Sequence, residues 1–287
     1  MLLGLHHVTA FAGDAQRNLD FYTRFLGLRL IKRTVNFDDP ATYHFYFGDK
    51  RGEPGTLLTF FPWPTAPAGR PGAGQIVCAT LAVPASEVPR WTDRARAAKI
   101  TCSEPAVRFG EPCIALCDPA GLAVELIGTE IREPRLHSVT VRESKPERTS
   151  AFLTDVLGFS FASEEGERTR WRLNEAVVDI VPTQDPEHAK LSAGTVHHVA
   201  FRVSDDAAQL EWREKLIAAG VRVTRVIDRR YFHSIYFREP GGVLFEIATD
   251  GPGFFIDEAE PGAALQLPPW LEPMRDSIER RLPPVNF

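Results

Sequence analysis

The stretch LHHVTAF, at residues 5–11, returns 131 residues later as LHSVTVR, at residues 136–142. The segment that follows returns at the same offset, because RNLDFYTRFLGLRL at 17–30 matches RTSAFLTDVLGFSF at 148–161. Self-similarity at a fixed offset indicates a duplicated structural unit. The first and third quarters of the chain are therefore predicted to fold alike.

The second and fourth quarters are related in the same way. CDPAGLAVELIGT at 117–129 matches REPGGVLFEIATD at 238–250, and VCATLAV at 77–83 matches HHVAFRV at 197–203. Each quarter reads as an apolar strand, an amphipathic helix ended by a glycine, and two or three further strands. The pattern predicts an α+β protein with four βαβββ units, at residues 4–62, 75–129, 135–183 and 194–250.

The helix of the fourth unit is predicted from hydrophobic periodicity, with Gly220 as its stop signal. A Pro-rich tail with a short amphipathic stretch follows this unit, at residues 251–287. The apolar residues of the predicted helix are Leu210, Trp212, Leu216 and Ile217.

Composition excludes several classes of protein. The chain has 38 acidic and 33 basic residues, for a formal net charge of -5, and no Lys/Arg-rich run, so nucleic acid is not an expected partner. Its four cysteines lack CxxC spacing, which argues against a zinc ribbon or a disulfide framework. No basic leader or run of about eighteen apolar residues occurs, so we expect a cytoplasmic protein with no membrane partner.

Two His-His pairs, His6 with His7 and His197 with His198, occupy equivalent apolar frames in the first and fourth units. Successive residues of a strand point to opposite faces, so one histidine of each pair can face a common centre. Glu246 lies in the apolar run VLFEIAT, where a bare carboxylate is costly unless it is paired or metal-bound. Two imidazoles and a carboxylate form the facial triad of non-haem Fe(II) enzymes. Strand alternation alone does not choose the ligand within each pair.

The units bearing LHHVTAF, VHHVAF, DRRYFHSIYF and EPGGVLFEIATD resemble the vicinal oxygen chelate superfamily of glyoxalases, bleomycin resistance proteins and extradiol dioxygenases. Within it, they are most similar to ring-cleaving dioxygenases that act on hydroquinones and catechols. The resemblance covers roughly residues 4–250 and implies two cup-shaped half-barrel sheets, with the first and fourth units sharing one cup. The metal ligands that it implies are His7, His198 and Glu246.

The same resemblance implies other residues near the metal. Tyr236 and Arg229 are expected beside the ligands, where they could hydrogen-bond a bound phenolate or a developing oxyanion. The adjacent Arg230 leaves the choice of arginine open. His197 is a candidate for proton handling or hydrogen bonding, and His6 is a further candidate catalytic residue.

The second and third units supply an internal comparison. At the positions equivalent to the three ligands they carry Ser138, Cys78 and Glu125, and His137 corresponds to His6. We therefore expect no iron in the second cup, and we expect Glu125 to meet a basic or hydrogen-bonding neighbour. The last strand of the first unit, TLLTFFPW, also lacks the second acidic residue of a four-ligand glyoxalase I site. Three ligands favour oxygen chemistry over isomerisation.

The sequence thus predicts an Fe(II)-dependent dioxygenase, with Mn(II) as the alternative metal, that inserts both atoms of O2 into a hydroquinone- or catechol-type diol. A glyoxalase-type metal-dependent isomerase or lyase and a metal-free small-molecule binding protein remain alternatives. Beyond the diol and O2, the expected partner is a second copy of the chain, in a homodimer or a higher homo-oligomer. We expect glyoxalase-like domains at 1–131 and 132–250, followed by the tail at 251–287.

Overall fold

The computed structural model describes residues 1–185 and 189–287, and these residues form two curled eight-stranded sheets. The first sheet combines the first and fourth sequence units, as the resemblance implied. With strands numbered in chain order, its order is β14 (Ile227–Asp228), β15 (Phe232–Arg238), β16 (Leu244–Pro252), β13 (Val196–Val203), β1 (Gly4–Ala12), β4 (Leu57–Pro62), β3 (Asp39–Gly48) and β2 (Arg29–Asn36).

The second sheet combines the second and third units, so the predicted half-barrel fold is confirmed. Each sheet takes one unit from residues 1–131 and one from residues 132–250, so both predicted halves contribute to both cups. The order of this sheet is β10 (Ser160–Glu165), β11 (Arg168–Leu173), β12 (Ala176–Pro182), β9 (Arg135–Glu143), β5 (Gln75–Pro84), β8 (Ala123–Thr129), β7 (Glu111–Cys117) and β6 (Ala106–Arg108).

One helix follows the first strand of each unit. Carboxylates cap two of them, because Asp14 accepts a hydrogen bond from the backbone N–H of Arg17 and Asp205 accepts one from that of Ala208. None of the described helices is both long enough and apolar enough to cross a bilayer. The helices are α1 (Ala15–Asp20, continued by a π-helical turn at Phe21–Phe25), α2 (Val88–Ala97), α3 (Pro146–Phe152, continued by a π-helical turn at Leu153–Leu157), α4 (Asp206–Ala218) and, in the tail, α5 (Arg275–Arg281).

Helix α4 forms where predicted, but part of its predicted apolar face is wrong. Leu210 and Ile217 are 49% and 47% exposed, whereas Trp212 and Leu216 are buried. Gln209 completes the buried stripe, because its side-chain amide donates to the backbone carbonyls of His233 and Ile247. Hydrophobic periodicity predicted Leu210 in the buried stripe, but the structure places there the Gln209 amide, which donates to two backbone carbonyls.

Strand β3 shows how the first sheet separates core from cavity. Phe45 and Phe47 point to the hydrophobic core, where the Tyr22 ring stacks on Phe47 with 5.2 Å between ring centroids. His44 and Tyr46 alternate with them and line a cavity on the concave face. One strand therefore supplies both the core and a polar cavity wall.

The tail meets the edge strand β2. The Lys32 ammonium on that strand is fully buried and donates to Asp257 at 2.8 Å and to Glu258 at 2.6 Å. The Tyr231 hydroxyl, in the loop between β14 and β15, donates to the same Asp257 carboxylate. Because β2 and β14 are the two edges of the first sheet, this cluster joins both edges of the cup.

Candidate functional site

A cavity of about 250 Å³ opens on the concave face of the first sheet. Its walls come from β1, β3, β4, β13, β15, the end of β2 with the turn after it, and the segment after β14. His7 and His198 lie on the adjacent strands β1 and β13, and His44 lies on β3, two strands from β1. The cavity therefore lies where the resemblance places the metal.

Three candidate ligands converge from three adjacent strands at the base of this cavity. The Nε2 atoms of His7 and His198 are 3.1 Å apart, and they lie 3.4 Å and 2.8 Å from Oε2 of Glu246. All three side chains are buried. Within the described residues, they are the group whose donor atoms could hold a metal ion, with those atoms within 4.8 Å of one another.

The donor set fits a divalent cation. Oε2 of Glu246 is fully buried and has no hydrogen bond of acceptable geometry among the described residues, although both imidazoles face it. Its other oxygen, Oε1, accepts a short hydrogen bond from the Ser234 hydroxyl, which fixes the carboxylate. Burial alone would raise the pKa of Glu246, but the neighbouring His7 and His198 hold this pKa well below its ordinary value. An ionised carboxylate facing two imidazole nitrogens suits Fe(II), Mn(II) or Zn(II).

Two β-bulges determine which histidine of each pair faces the centre. Along the β1–β13 pairing, Leu5 pairs with Phe201 and His7 with Ala200, so His6 is an extra residue on β1. On β13 the extra residue is His197, since the pairing passes from His198 to Val196. The β5–β9 pairing of the second sheet has its register shifts at the equivalent positions.

The two bulge histidines contact the candidate ligand histidines through their Nδ1 atoms, away from the Nε2 atoms that face Glu246. Nδ1 of His6 lies 2.8 Å from Nδ1 of His7, and Nδ1 of His197 lies 2.7 Å from Nδ1 of His198. Burial, and next the adjacent histidine, lower the pKa of both His6 and His197 to about 3, so both are neutral. Each can accept the Nδ1 proton of its ligand neighbour, which leaves the Nε2 lone pair of that neighbour for a metal. His197 also lines the cavity, whereas His6 lies against Phe232, outside the lining.

Tyr236 and Arg229 both line the cavity on the far side of Glu246. Nε of Arg229 donates to the Tyr236 hydroxyl at 3.0 Å, and Nη1 of Arg229 pairs with Asp38 at 3.0 Å. Burial is the main cause that raises the pKa of Tyr236, so the phenol keeps its proton and can donate it into the cavity. Arg230 lies instead 3.7 Å from Asp257, so Arg229 is the arginine that faces the site.

Several residues that line the cavity or contact a candidate ligand were not assigned from the sequence. Ser234 and Thr9 each lie two residues from a predicted site residue on the same strand, so the period-two rule could have found them. His44 and Tyr46 had a weaker signal, the alternation in ATYHFYFG, and no matching segment in another unit. The end of β2 and the turn to β3 add a polar and aromatic rim. Its cavity-lining residues are Asn36, Phe37 and Asp38.

The second cup is built around ion pairs. Glu125 lies 3.2 Å from the Arg108 guanidinium and accepts a hydrogen bond from the Thr80 hydroxyl at 3.3 Å, which confirms the prediction of a basic or hydrogen-bonding neighbour. His137 contacts the Ser138 hydroxyl through Nδ1 at 3.0 Å. Burial raises the pKa of the Cys78 thiol to about 12, so this residue is not a ready thiolate ligand.

The register of the first sheet also locates the position of a fourth ligand. Glu246 pairs with Ala200, two residues beyond His198. In the first unit the equivalent pair is Thr59 with Thr9, two residues beyond His7. A threonine hydroxyl thus replaces the second carboxylate that a four-ligand site would have. Its oxygen lies within hydrogen-bonding distance of two neighbouring side chains.

The fold agrees with comparisons to known proteins. The model of the Glyoxalase/Bleomycin resistance protein/Dioxygenase superfamily matches residues 4–126 and 135–247, and the chain belongs to this superfamily. It is 39% identical to MhqO of Bacillus subtilis, provisionally named a ring-cleaving dioxygenase, over 99% of this chain and 97% of that protein. It is 32% identical to chlorohydroquinone/hydroquinone 1,2-dioxygenase of Sphingobium indicum, over 97% and 95%. A crystal structure of a Bacillus subtilis protein, provisionally described as a dioxygenase, superimposes with a TM-score of 0.94 at 39% identity, covering 99% of this chain and 98% of the other.

Proposed function

We propose that this chain is an Fe(II)-dependent dioxygenase that uses O2 to open the ring of a hydroquinone- or catechol-type diol. The observation that carries the proposal is a buried His-His-Glu site at the base of a cavity, with a threonine where a four-ligand site would have its second carboxylate. The names of MhqO and of the hydroquinone dioxygenase support ring cleavage as the reaction. The three residues proposed to hold the metal are His7, His198 and Glu246.

Three protein donors would leave positions of a bound metal ion open to substrate and O2. When bound, Fe(II) supplies a path for electrons from an electron-rich ring to dioxygen, which amino-acid side chains alone do not provide. The contribution of the chain is to fix the donors. Ser234 fixes one carboxylate oxygen, and His6 and His197 fix the two ligand rings through their Nδ1 atoms.

The cavity walls suit a small aromatic diol. Rings of Phe11, Phe61 and Phe232 give an apolar surface for the substrate ring. The protonated Tyr236 hydroxyl can donate to a phenolic oxygen, and the Arg229 cation stabilises negative charge that develops there. These polar groups and the aromatic rings together would orient a planar substrate with its oxygens toward the ligands.

His197 is the proposed proton-handling group at the cavity wall. Because Nδ1 of His197 faces Nδ1 of His198, its other nitrogen, Nε2, carries the proton when the ring is neutral. The ring of His197 packs edge-on against Phe11, with 5.1 Å between ring centroids, which limits its rotation. A held Nε2–H group can donate to a substrate or product oxygen during ring opening.

Reconstitution with iron tests the proposal. Protein freed of metal and loaded anaerobically with Fe(II) should consume O2 when hydroquinone or catechol is added. His198→Ala should lose both iron binding and O2 uptake, whereas Cys78→Ala, at the equivalent position of the second cup, should keep both. Absence of O2 uptake with a panel of such diols, together with turnover of a thiohemiacetal, would show that the protein is an isomerase.

A further inference from the structure

A chain of side-chain hydrogen bonds crosses the concave face next to the candidate ligands. The Tyr46 hydroxyl lies 3.0 Å from Nδ1 of His44, and Nε2 of His44 lies 2.9 Å from the Thr59 hydroxyl. The Thr59 hydroxyl in turn lies 2.8 Å from that of Thr9. Thr9 lines the cavity and pairs across the β1–β13 register with His198. The chain therefore ends beside a proposed metal ligand.

This hydrogen-bonded chain has one more exchangeable proton than it has hydrogen bonds between its members. Three hydroxyls and one neutral imidazole carry four exchangeable protons for three hydrogen bonds. Thr59 is fully buried, and its hydroxyl contacts only Thr9 and His44 among the described side chains, so a surplus proton there would have no acceptor. One end must therefore donate outward, either at Thr9 or at Tyr46. Burial is the main cause that lowers the pKa of His44 and raises that of Tyr46, so the imidazole is neutral and the phenol is protonated.

The surroundings of Tyr46 and Thr9 determine in which direction the hydrogen bonds of this chain donate. The Tyr46 ring packs against Phe254 and Tyr231, with centroid distances of 5.2 Å and 6.3 Å, inside an apolar cluster of the described residues. Tyr46 also lines the cavity, but the groups that act on its hydroxyl most strongly there are Tyr236, whose hydroxyl already accepts from Arg229, and the Arg229 cation, which is only a donor. A hydroxyl proton left over there would be costly, so Tyr46 donates to Nδ1 of His44. The other end, at Thr9, faces the cavity.

We infer that Tyr46, His44 and Thr59 are positioning residues that make the Thr9 hydroxyl a fixed hydrogen-bond donor into the cavity. His44 then carries its proton on Nε2 and donates to Thr59, which donates to Thr9. The target of the Thr9 proton rests on the proposed function: it is an oxygen atom that gains negative charge as the ring opens. Thr59, at the position where a four-ligand site has its second carboxylate, thus orients the Thr9 hydroxyl as a donor.

The tautomer of His44 tests the direction without any activity measurement. In protein labelled with ¹⁵N-histidine and loaded with diamagnetic Zn(II), His44 should show a protonated Nε2 and an unprotonated Nδ1, with its signals assigned by their loss in His44→Gln. Tyr46→Phe should shift this residue toward a mixture of tautomers. A proton on Nδ1 of His44 in the wild-type protein would overturn the inference.

Kinetics of the Fe(II)-loaded enzyme with hydroquinone test the role of the chain. Thr9→Val should lower kcat roughly 100-fold with little change in KM, as for loss of one donor to developing charge. Thr9→Ser should retain most of kcat, because it keeps the hydroxyl. Tyr46→Phe should lower kcat roughly 10-fold alone but less than about twofold in a Thr9→Val background, since the chain acts through Thr9.

An equal effect of Tyr46→Phe in both backgrounds would overturn the inference, because Tyr46 would then act as a cavity wall and not through Thr9. Loss of the proposed function is distinguishable from this result. If the wild-type enzyme consumes no O2 with any diol, the dioxygenase proposal fails, and the His44 tautomer alone decides whether the chain has the inferred direction.

Discussion

The carboxyl group of Glu143, at the end of β9, makes the stability of this protein depend on pH. Glu143 is 1% exposed, and its Oε1 has no hydrogen-bond partner among the described residues. Nearby, Glu239 accepts hydrogen bonds from the Thr149 hydroxyl and from the backbone N–H groups of Gly241 and Val243. Burial, and next the charge of Glu239, raise the pKa of Glu143 to about 8 from 4.5.

A raised carboxyl pKa weakens the native state as the pH rises. Below pH 4.5 Glu143 is protonated in both the folded and the unfolded chain, so it contributes no pH dependence. Between pH 4.5 and 8 the unfolded chain loses this proton while the folded chain keeps it. The free energy of unfolding then falls by up to about 1.4 kcal/mol per pH unit, and by about 3 to 4 kcal/mol in total between pH 5 and pH 8, because the slope is smaller near each pKa.

Glu143→Gln removes this titration. Urea unfolding at several pH values should show that the variant gains about 3 to 4 kcal/mol relative to the wild-type protein between pH 5 and pH 8, whatever constant cost the buried amide adds. Glu164→Gln, at an exposed position, is the matched control and should follow the wild-type pH dependence. Parallel pH profiles for Glu143→Gln and the wild-type protein would refute the reasoning.

Further predictions concern neighbouring backbone and the ligand carboxylate. Gly241→Ala should destabilise the fold by about 1–3 kcal/mol in urea unfolding, because the added methyl group would overlap the buried Glu143 carboxyl, whereas Gly13→Ala, with open space around it, should change the stability little. Ser234→Ala should weaken Fe(II) binding roughly 10- to 100-fold in anaerobic titration calorimetry, since the Glu246 carboxylate loses the donor that fixes it; unchanged affinity would contradict that role. Tyr236→Phe should lower kcat with hydroquinone at least about tenfold in O2-uptake assays, and wild-type turnover would exclude it as a donor to substrate.

The fold could be predicted from the sequence because its four units repeat a similar pattern. Four similar units can bury their apolar strands only by pairing, and the matching His and Glu positions then fall on neighbouring strands. The repeats do not predict which histidine of each His-His pair is the candidate ligand. Strict alternation treats the two histidines as equivalent, and the bulges at His6 and His197 that separate them arise from the pairing of β1 with β13, about 190 residues apart.

Other features depend on contacts that no local pattern encodes. Arg229 and Arg230 are adjacent in sequence, but a turn with positive φ at Arg230 sends its side chain toward Asp257 in the tail. His44 enters the site only because β3 lies two strands from β1 in the curled sheet. Period-two reading from Tyr236 does reach Ser234, whose role becomes visible once Glu246 is placed opposite.

The most direct test of the proposed function is the fate of the two atoms of O2. Fe(II)-loaded protein is given hydroquinone under ¹⁸O₂, the aldehyde terminus of the product is trapped with borohydride, and the product is analysed by mass spectrometry. A ring-opened acid that carries two ¹⁸O atoms is the predicted result, with no such product from His198→Ala. Consumption of ¹⁸O₂ that yields only benzoquinone and hydrogen peroxide, with no ring-opened product, would contradict a ring-cleaving dioxygenase.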